Sequence, residues 1–464
     1  MQHNKDTIVA VSTPPGFGAL GIIRLSGEEA ISIVDRIFSR DLARVDSHRV
    51  VFGRIQGQEG RVLDEVVATV FRAPKSFTRE NVVEISCHGS PYILREVMNL
   101  LVESGARPAT AGEFTQRAFL NGAMDLAQAE AVADLIAATS QGAHQLAIDQ
   151  LRGGVSSELK ELRGELLNFT SLIELELDFG EEDVEFADRS QLSELIERLG
   201  RRLDSLIGSF KLGNALKQGV PTVILGKPNA GKSTLLNSLL NDNRAIVSDI
   251  PGTTRDVIED RIVIGGVEFR LMDTAGVRET EDIIEAEGVG RSLQLARKAQ
   301  VLLYVFDATT ETPPEAVAYL QSLDLPASTQ VVLLANKIDL VGNEEEYSHQ
   351  HDPHYLPAGW QWFGISAKDG THLLAMKDWM VESVTHQEEN FGDQAIISNV
   401  RHLNVLQQAR TALREVEQGM AMGISGDLLS IDIRTVLHHI GEITGEINTE
   451  EVLGNIFSKF CIGK

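Results

Sequence analysis

The spacing of apolar residues changes along the chain and predicts three kinds of structure. Up to about residue 120, short apolar runs alternate with turn-forming residues, which predicts mixed α and β structure. From Asp125 to Phe210 the apolar residues follow a helical period and predict three long amphipathic helices packed as a bundle. From about Val220 to Thr385 strand-like and helix-like runs alternate, as in a parallel α/β sheet. After Asn399 the helical period returns, which indicates a helical domain interrupted by an α/β insertion.

Individual runs predict individual elements and boundaries. In the N-terminal region the predicted strands are Ile8–Ser12, Gly21–Leu25, Arg49–Ile55, Val62–Phe71 and Val82–Ser86, and the predicted helix is Pro91–Ser104. In the insertion the predicted strands are Val220–Leu225, Val257–Ile264, Val267–Met272, Val301–Asp307, Val331–Ala335 and Trp362–Ile365. Asn448, with Glu451 three residues later, predicts a capping box for the last helix. We expect an α+β domain at 1–121, a helical domain at 122–216 and 386–464, and the α/β insertion at 217–385.

Composition narrows the class of protein and its partners. The 464 residues are 43% hydrophobic and 5% aromatic, which predicts a globular, helix-rich chain of two or three domains. A formal charge of −25 repels RNA phosphate, so an RNA partner would need a local basic patch or a second protein. The two cysteines, Cys87 and Cys461, make no disulfide framework and indicate a reducing compartment. Without a signal peptide or a run of bilayer length, we expect a cytoplasmic protein with no membrane partner.

One segment has the pattern of a phosphate-binding loop. Gly226–Ser233 fits GxxxxGK[ST], follows a predicted strand and opens a predicted helix. Glycines let backbone N–H groups surround phosphates, and the helix amino end adds positive potential. Lys232 is expected to bridge the β- and γ-phosphates, and Ser233 to ligate Mg²⁺.

Further segments in the right order identify the nucleotide as GTP. Asp339, in Asn336-Lys337-Ile338-Asp339, can accept from the ring N–H and the exocyclic amine of guanine, which adenine does not offer. Thr254 is the threonine chosen to complete the Mg²⁺ shell from a switch loop. The GTP-binding residues predicted from these motifs are Asn229, Ala230, Gly231, Lys232, Ser233, Thr234, Thr254, Asp273, Thr274, Ala275, Gly276, Asn336, Lys337, Asp339, Ser366, Ala367 and Lys368.

The position after Asp273–Gly276 departs from the Ras-like scheme. It is Val277, which cannot orient the attacking water as a glutamine does. Either hydrolysis is very slow or another polar group enters, and the nearby candidates are Arg278, Glu279, Glu281, Asp282 and Glu285. Asn229 also offers an oxygen beside the phosphates, where a monovalent cation could do the electrostatic work of an arginine.

The whole chain resembles the bacterial tRNA modification GTPases known as MnmE or TrmE. The resemblance rests on the motifs above together with Gly21–Gly27, Arg117–Asn121, Asp125–Glu130 and the tail Phe460–Lys464. It implies a folate-binding-like α+β domain that forms a homodimer and a helical domain interrupted by a Ras-like P-loop domain. It also implies a potassium-stimulated GTPase that acts with the flavoprotein MnmG, in a heterotetramer. The expected product is a carboxymethylaminomethyl-type group at C5 of the wobble uridine in certain tRNAs, made with 5-formyltetrahydrofolate or a related folate.

The resemblance also assigns roles to residues that the motifs leave open. Glu285 would orient the water, which makes it, with Lys232 and Thr254, a catalytic residue. The implied potassium ligands are Asn229, Ser248, Ile250 and Thr253, of which Ser248 and Thr253 also join the GTP site. The implied folate site comprises Arg24, Glu84 and Lys464. Ala123 stands where a lysine is often found, so that contact is missing here.

Two other functions compete with this interpretation. One is a GTPase switch in ribosome assembly without tRNA-modifying chemistry, and the other is a folate-binding scaffold with idle GTPase motifs. The folate-type N-terminal region and the Phe460–Lys464 tail favour tRNA modification, and intact Lys232, Asp273 and Asp339 argue against the scaffold. Cys461 is either a catalytic thiol or a thiol packed near the folate site.

Overall fold

The chain forms two compact units, each assembled from separate parts of the sequence. The computed structural model describes residues 6–57, 60–178, 189–243, 260–272, 294–341, 356–385 and 395–464. The first unit comprises Met1–Ala133, Leu151–Leu167 and Leu437–Lys464, and the second comprises Asp134–Gln150 and Asn168–Val436. Within these described ranges, no helix is both long and apolar enough to span a bilayer.

A six-stranded sheet forms the N-terminal part of the first unit. Its strands are β1 (Ile8–Val11), β2 (Leu20–Ser26), β3 (Arg49–Gln56), β4 (Val62–Phe71), β5 (Val82–His88) and β6 (Arg107–Pro108). Their order is β3-β4-β5-β2-β1-β6, and neighbours are antiparallel except β1 and β6, which are parallel. The helices are α1 (Ala30–Asp35), α2 (Pro91–Glu103) and α3 (Glu113–Leu120). The mixed α and β structure predicted for this region is confirmed, because alternate strand residues are buried in one apolar core with α1 and α2.

A second six-stranded sheet forms the predicted insertion. Its strands are β7 (Val220–Leu225), β8 (Asp260–Ile264), β9 (Val267–Met272), β10 (Val301–Asp307), β11 (Gln330–Asn336) and β12 (Gln361–Ile365). Their order is β12-β11-β10-β7-β9-β8, parallel except for the β8–β9 hairpin. The helices in its described residues include α8 (Lys232–Asn243), α9 (Pro313–Gln321) and α10 (Leu373–Thr385). The parallel α/β sheet is therefore confirmed, with β7, β10 and β11 almost fully buried at its centre.

In its described residues, the helical region before the insertion contains four helices where three were predicted. They are α4 (Leu126–Ala137), α5 (Gln141–Leu151), α6 (Gly154–Asp178) and α7 (Arg189–Gln218). The first predicted helix is broken because Ser140 Oγ accepts a hydrogen bond from the N–H of Ala143 at 3.2 Å and so begins a new helix. Immediately before it, Thr139 Oγ1 donates to the carboxylate of Glu268 in β9.

The helices after the insertion are α11 (Val400–Met422), α12 (Gly426–Thr444) and α13 (Glu450–Phe457). The capping box predicted at Asn448 is wrong by one residue. Thr449 Oγ1 accepts from the N–H of Val452 at 3.3 Å, whereas Asn448 Nδ2 donates backwards to the carbonyl of Gly445 at 2.6 Å. The chain then ends in a tail, Phe460–Lys464, that packs in the first unit.

Candidate functional site

The loop between β7 and α8 is shaped by two glycines that have no room for a side chain. A Cβ on Gly226 would lie 2.0 Å from the carbonyl oxygen of Val305 in β10. A Cβ on Gly231 would lie 2.0 Å from Nδ2 of Asn336 at the end of β11. The loop backbone therefore packs directly on two central strands beside the amino end of a helix. Backbone N–H groups held in such a place form a cradle that fits phosphate groups.

Lys232 is the first residue of α8, and its side chain folds back over the loop. Its Nζ donates to the carbonyl oxygens of Gly226 at 2.8 Å and Lys227 at 2.7 Å. Burial lowers the pKa of the Lys232 ammonium. Ser233 follows in the same first helical turn, so a cation and a hydroxyl stand at one helix end. This is the chemistry that a nucleotide phosphate and its Mg²⁺ require.

The side chain of Asn336 joins the phosphate loop to the segment after β12. Its Nδ2 donates to the carbonyl oxygen of Ala230 at 2.8 Å, and its Oδ1 accepts from the N–H of Ala367 at 3.0 Å. Only 3% of Asn336 is exposed, so both hydrogen bonds are shielded from water. One amide thereby holds together three segments that the sequence assigned to the nucleotide site.

The groups assigned to the base stand beside this buried amide. Asp339 lies in the 3-10 helix Ile338–Leu340 and is exposed, as is Lys368 after β12. Lys337 has a left-handed backbone, φ 67°, and its Nζ lies 2.7 Å from Oδ2 of Asp307. Burial opposes ionisation of Asp307, but hydrogen bonds from Lys337 and Thr309 outweigh it and hold the pKa of this carboxyl below its usual range.

Asp307 was not among the predicted site residues. The signal that could have found it is its place at the carboxyl end of β10, because polar residues at that edge of a parallel sheet face the ligand crevice.

Several assigned residues lie outside the part of the chain that the structure describes. They are Ser248, Ile250, Thr253, Thr254, Asp273, Thr274, Ala275, Gly276 and Glu285. The described residues Asn229, Ala230, Gly231, Lys232, Ser233 and Thr234 are brought together with Asn336, Lys337, Asp339, Ser366, Ala367 and Lys368 at one edge of the sheet. Asn229 lies at the tip of the loop with φ 64°, a conformation that asparagine tolerates better than most residues.

A second candidate site lies in the first unit, where Arg24 and Glu84 face each other. They stand opposite in the β2–β5 register, and both Nε and Nη2 of Arg24 lie 2.8 Å from Oε1 of Glu84. The guanidinium carbon lies 5.7 Å from the ring centre of Phe77 and 5.8 Å from that of Phe114. A charged pair against aromatic rings offers both polar and aromatic contacts to a ligand.

The carboxyl-terminal tail packs at the end of β1, next to this pair. The N–H of Gly112 donates to the carbonyl of Cys461 at 3.4 Å, and Ser12 Oγ donates to that of Gly463 at 3.2 Å. A Cβ on Gly463 would lie 2.5 Å from the carbonyl oxygen of Val11, so the tail touches the strand backbone. Because Ala10 pairs with Arg24 in the β1–β2 register, the tail ends in the neighbourhood of the Arg24–Glu84 pair.

The two thiols have different surroundings. Cys461 in the tail is exposed. Cys87 in β5 is buried, and that burial, with the charge of Asp64, raises the pKa of its thiol to about 12. Cys87 is therefore a packing residue without thiolate chemistry near neutral pH.

Comparison with known proteins assigns both units to one family. The family model described as "GTP-binding protein TrmE N-terminus" matches residues 7–123, and the "MnmE helical domain" model matches residues 126–461. A protein of Cytophaga hutchinsonii named "tRNA modification GTPase MnmE" is 50% identical over 463 residues, covering 100% of this chain and 98% of the relative. One of the same name from Christiangramia forsetii is 47% identical, covering 99% of each chain.

Among solved structures, the chain is similar to Era in complex with MgGDPNP and a segment of 16S ribosomal RNA. That similarity covers 41% of this chain and 65% of Era at 28% identity, with a TM-score of 0.28. The G domain of the Thermotoga maritima FeoB iron transporter is similar over 35% of this chain and 98% of its own, at 23% identity and a TM-score of 0.26.

Proposed function

The chain belongs to the MnmE family of tRNA modification GTPases, and from that premise we propose the reaction in which its two candidate sites take part. Its general function, as for this family, is GTP hydrolysis in tRNA modification. In the proposed reaction it acts with the flavoprotein MnmG, as a heterotetramer, and adds a carboxymethylaminomethyl-type group to C5 of the wobble uridine. The observation that carries the proposal is the presence, in one chain, of a phosphate cradle and of a separate Arg24–Glu84 pair beside the tail.

In the GTP site, the described residues bind and orient the nucleotide. The loop glycines bring N–H groups to the phosphates, and Lys232 exchanges its two carbonyl partners for phosphate oxygens. Asn336 keeps the phosphate loop and the base-binding segment in register. Asp339 selects guanine through its two N–H donors. Mg²⁺, held by Ser233 and Thr254, would neutralise phosphate charge.

The hydrolytic step needs groups that replace the missing glutamine. With Val277 after the Asp273–Gly276 segment, we assign the orientation of water to Glu285. A potassium ion held by Asn229, Ser248, Ile250 and Thr253 would supply positive charge where an arginine finger acts in other GTPases. The left-handed turn at Asn229 supports this assignment, because it sets that side chain at the tip of the phosphate loop.

In the folate site, Arg24, Glu84 and Lys464 would hold 5-formyltetrahydrofolate or a related folate. The guanidinium offers hydrogen-bond donors and the carboxylate offers acceptors, and Phe77 and Phe114 offer aromatic contact. The tail position supports a role for Lys464 in the same site. The folate would supply the one-carbon unit. Ala123 contributes no charge to this folate site.

A homodimer through the N-terminal sheet is part of the proposal. Four apolar side chains are strongly exposed there: Phe17 by 93%, Leu20 by 66%, Val50 by 64% and Phe52 by 53%. Val50 and Phe52 lie on β3, which is an edge strand of the sheet. Exposed apolar groups on a sheet edge are suited to an interface between two copies. We place this assembly in the cytoplasm, where its two free thiols remain reduced.

Complementation of a strain that lacks this protein tests the proposal. Mass spectrometry of tRNA nucleosides should show that the parent restores the wobble modification, whereas Lys232→Ala and Arg24→Ala do not. Purified Lys232→Ala should also lose GTP turnover, and Arg24→Ala should lose folate binding. Arg95→Gln, an exposed arginine outside both sites, is the matched control. Normal tRNA nucleosides in the deletion strain, with a defect in ribosomal subunits, would favour the assembly switch instead.

A further inference from the structure

A cavity of about 560 Å³ opens in the first unit, beside the aromatic wall of the Arg24 site. Its lining includes two aromatic rings, Phe71 and Phe77, and the small side chain of Ala123. Phe77 is also the ring over which the Arg24 guanidinium stands. Phe77 therefore contributes both to the cavity lining and to the surroundings of Arg24. A volume of this size holds a substantial part of a small ligand.

The charges that line the cavity are all of one sign. Lys75 and Arg79 supply positive charges, His48 adds an imidazole, and none of the described lining residues is acidic. The acid nearest in sequence, Glu80, is turned inwards, where it accepts from Ser26 Oγ at 2.6 Å and lies 3.4 Å from Arg117. The whole chain has a net charge of −25, so the local charge at the cavity is opposite in sign and would attract an anion.

The segment that carries these groups is fixed at several points. Asn121 Nδ2 donates to the carbonyl of Thr78 at 2.7 Å, and Arg79 Nη1 donates to that of Asn121 at 3.1 Å. Arg79 and His48 both have left-handed backbones, with φ 59° and 63°. Such conformations cost energy in residues other than glycine, and they aim these two side chains by means of the fold.

We propose that this cavity binds the carboxylates of the γ-linked glutamate chain that extends a folate beyond its first glutamate. The inference rests on the folate site proposed above, because the cavity shares Phe77 with the surroundings of Arg24. A γ-glutamate chain presents a carboxylate at each residue and a short apolar stem between them. Lys75, Arg79 and His48 match the carboxylates, and Phe71 and Phe77 match the stems.

Folate titrations with two ligands test the proposal on the full-length chain. The measurement is the ratio of the Kd of 5-formyltetrahydrofolate with one glutamate to the Kd of the same folate with five. We expect the five-glutamate form to bind about three- to tenfold more tightly, as two or three partly exposed ion pairs allow. Raising the salt concentration should reduce that ratio and leave one-glutamate binding less affected.

Variants test whether the ratio of the two Kd values depends on the cavity. Lys75→Gln combined with Arg79→Gln should bring the ratio close to one, because the lining loses two positive charges, and Ala123→Lys should increase it, because the lining gains one. Arg95→Gln removes an arginine elsewhere in the same unit and should keep the parent ratio. A variant with a damaged fold would lose both ligands together, so the ratio separates misfolding from loss of the site.

The outcomes distinguish the proposed folate site from the proposed glutamate-chain site in the cavity. A parent chain that binds neither folate would overturn the proposed folate site itself. A parent that binds the one-glutamate form but gives a ratio of one would overturn only the cavity assignment, and so would an unchanged ratio in the double variant. If the double variant keeps the parent ratio but loses binding of a single-stranded RNA oligonucleotide, the cavity belongs to RNA and the inference is wrong.

Discussion

Replacing Asn336 with alanine tests whether one buried amide organises the nucleotide site. The change removes the donor to the Ala230 carbonyl and the acceptor for the Ala367 N–H. Each buried hydrogen bond is worth about 1 kcal/mol net, so the assembled site loses about 2 kcal/mol. Because the bonds join the phosphate loop to the base-binding segment, the loss falls on the nucleotide-binding arrangement. We therefore expect GTP and GDP affinities to fall by about 30-fold.

Equilibrium titration with a fluorescent guanine nucleotide measures the effect, and urea unfolding measures the stability of the chain. The control is Gln330→Ala, at the opposite end of the same strand β11 and half-buried. It should leave the nucleotide affinity unchanged, which separates a local effect from a general weakening of β11. If Asn336→Ala binds GTP within about twofold of the parent, the amide does not organise the site and the reasoning fails.

Four further results are expected. In competition titrations, Asp339→Asn should weaken the binding of GTP and strengthen that of xanthosine triphosphate. The reason is that the two acceptor oxygens of the carboxylate become one donor and one acceptor in the amide; equal GTP affinity would contradict the assignment. GTP turnover should be faster in KCl than in NaCl at matched ionic strength, and Asn229→Ala should remove the difference; a rate indifferent to the cation excludes the potassium site. Glu285→Ala should lower the single-turnover rate while GTP affinity stays unchanged, as for a contact made only in the transition state; parallel losses would indicate a structural role. In thiol titrations at pH 8, Cys461 should react at once and Cys87 only after unfolding, because burial raises the pKa of Cys87 to about 12; equal rates would show that this burial is not maintained.

The strands, apart from the two-residue β6, could be predicted because their signal is local. β4 alternates buried and less buried residues along its length, and β7 and β10 are short apolar runs bounded by polar residues or glycine. In the described residues the predicted bounds of the N-terminal strands differ from the observed ones by at most two residues. The β8–β9 hairpin could be predicted in the same way, since Gly265 and Gly266 both take positive φ at its turn.

The helix boundaries that were wrong depend on side-chain hydrogen bonds that the spacing of apolar residues does not reveal. The break before α5 combines a cap at Ser140 with a hydrogen bond from Thr139 to Glu268, 129 residues away. At the last helix, Asn448 and Thr449 are both good capping residues. The structure selects Thr449 because Asn448 is already bonded to the carbonyl of Gly445.

For the site, motif spacing predicts which residues meet but not how they are held. The order of Gly226–Ser233, Asn336–Asp339 and Ser366–Lys368 was enough to place them at one edge of the sheet. The sequence could not predict that the Asn336 amide bonds protein backbone through both Nδ2 and Oδ1, because neither partner is near it in sequence. The same holds for Phe77, which contacts Arg24 only once β2 and the loop before β5 are folded.

Contacts between residues far apart in sequence join the two chain segments that enter and leave the insertion. Ser209 Oγ in α7 accepts from the N–H of Ile397 at 3.1 Å, and Gln150 Nε2 in α5 donates to Ser398 Oγ at 3.1 Å. A Cβ on Gly213 would lie 2.1 Å from the carbonyl oxygen of Ile397, so α7 and the returning chain pack without room for a side chain. Since α7 leads into β7 and the returning segment leads into α11, these contacts tie the entry of the insertion to its exit. A movement of α7 against the segment that leads into α11 would have to break these contacts.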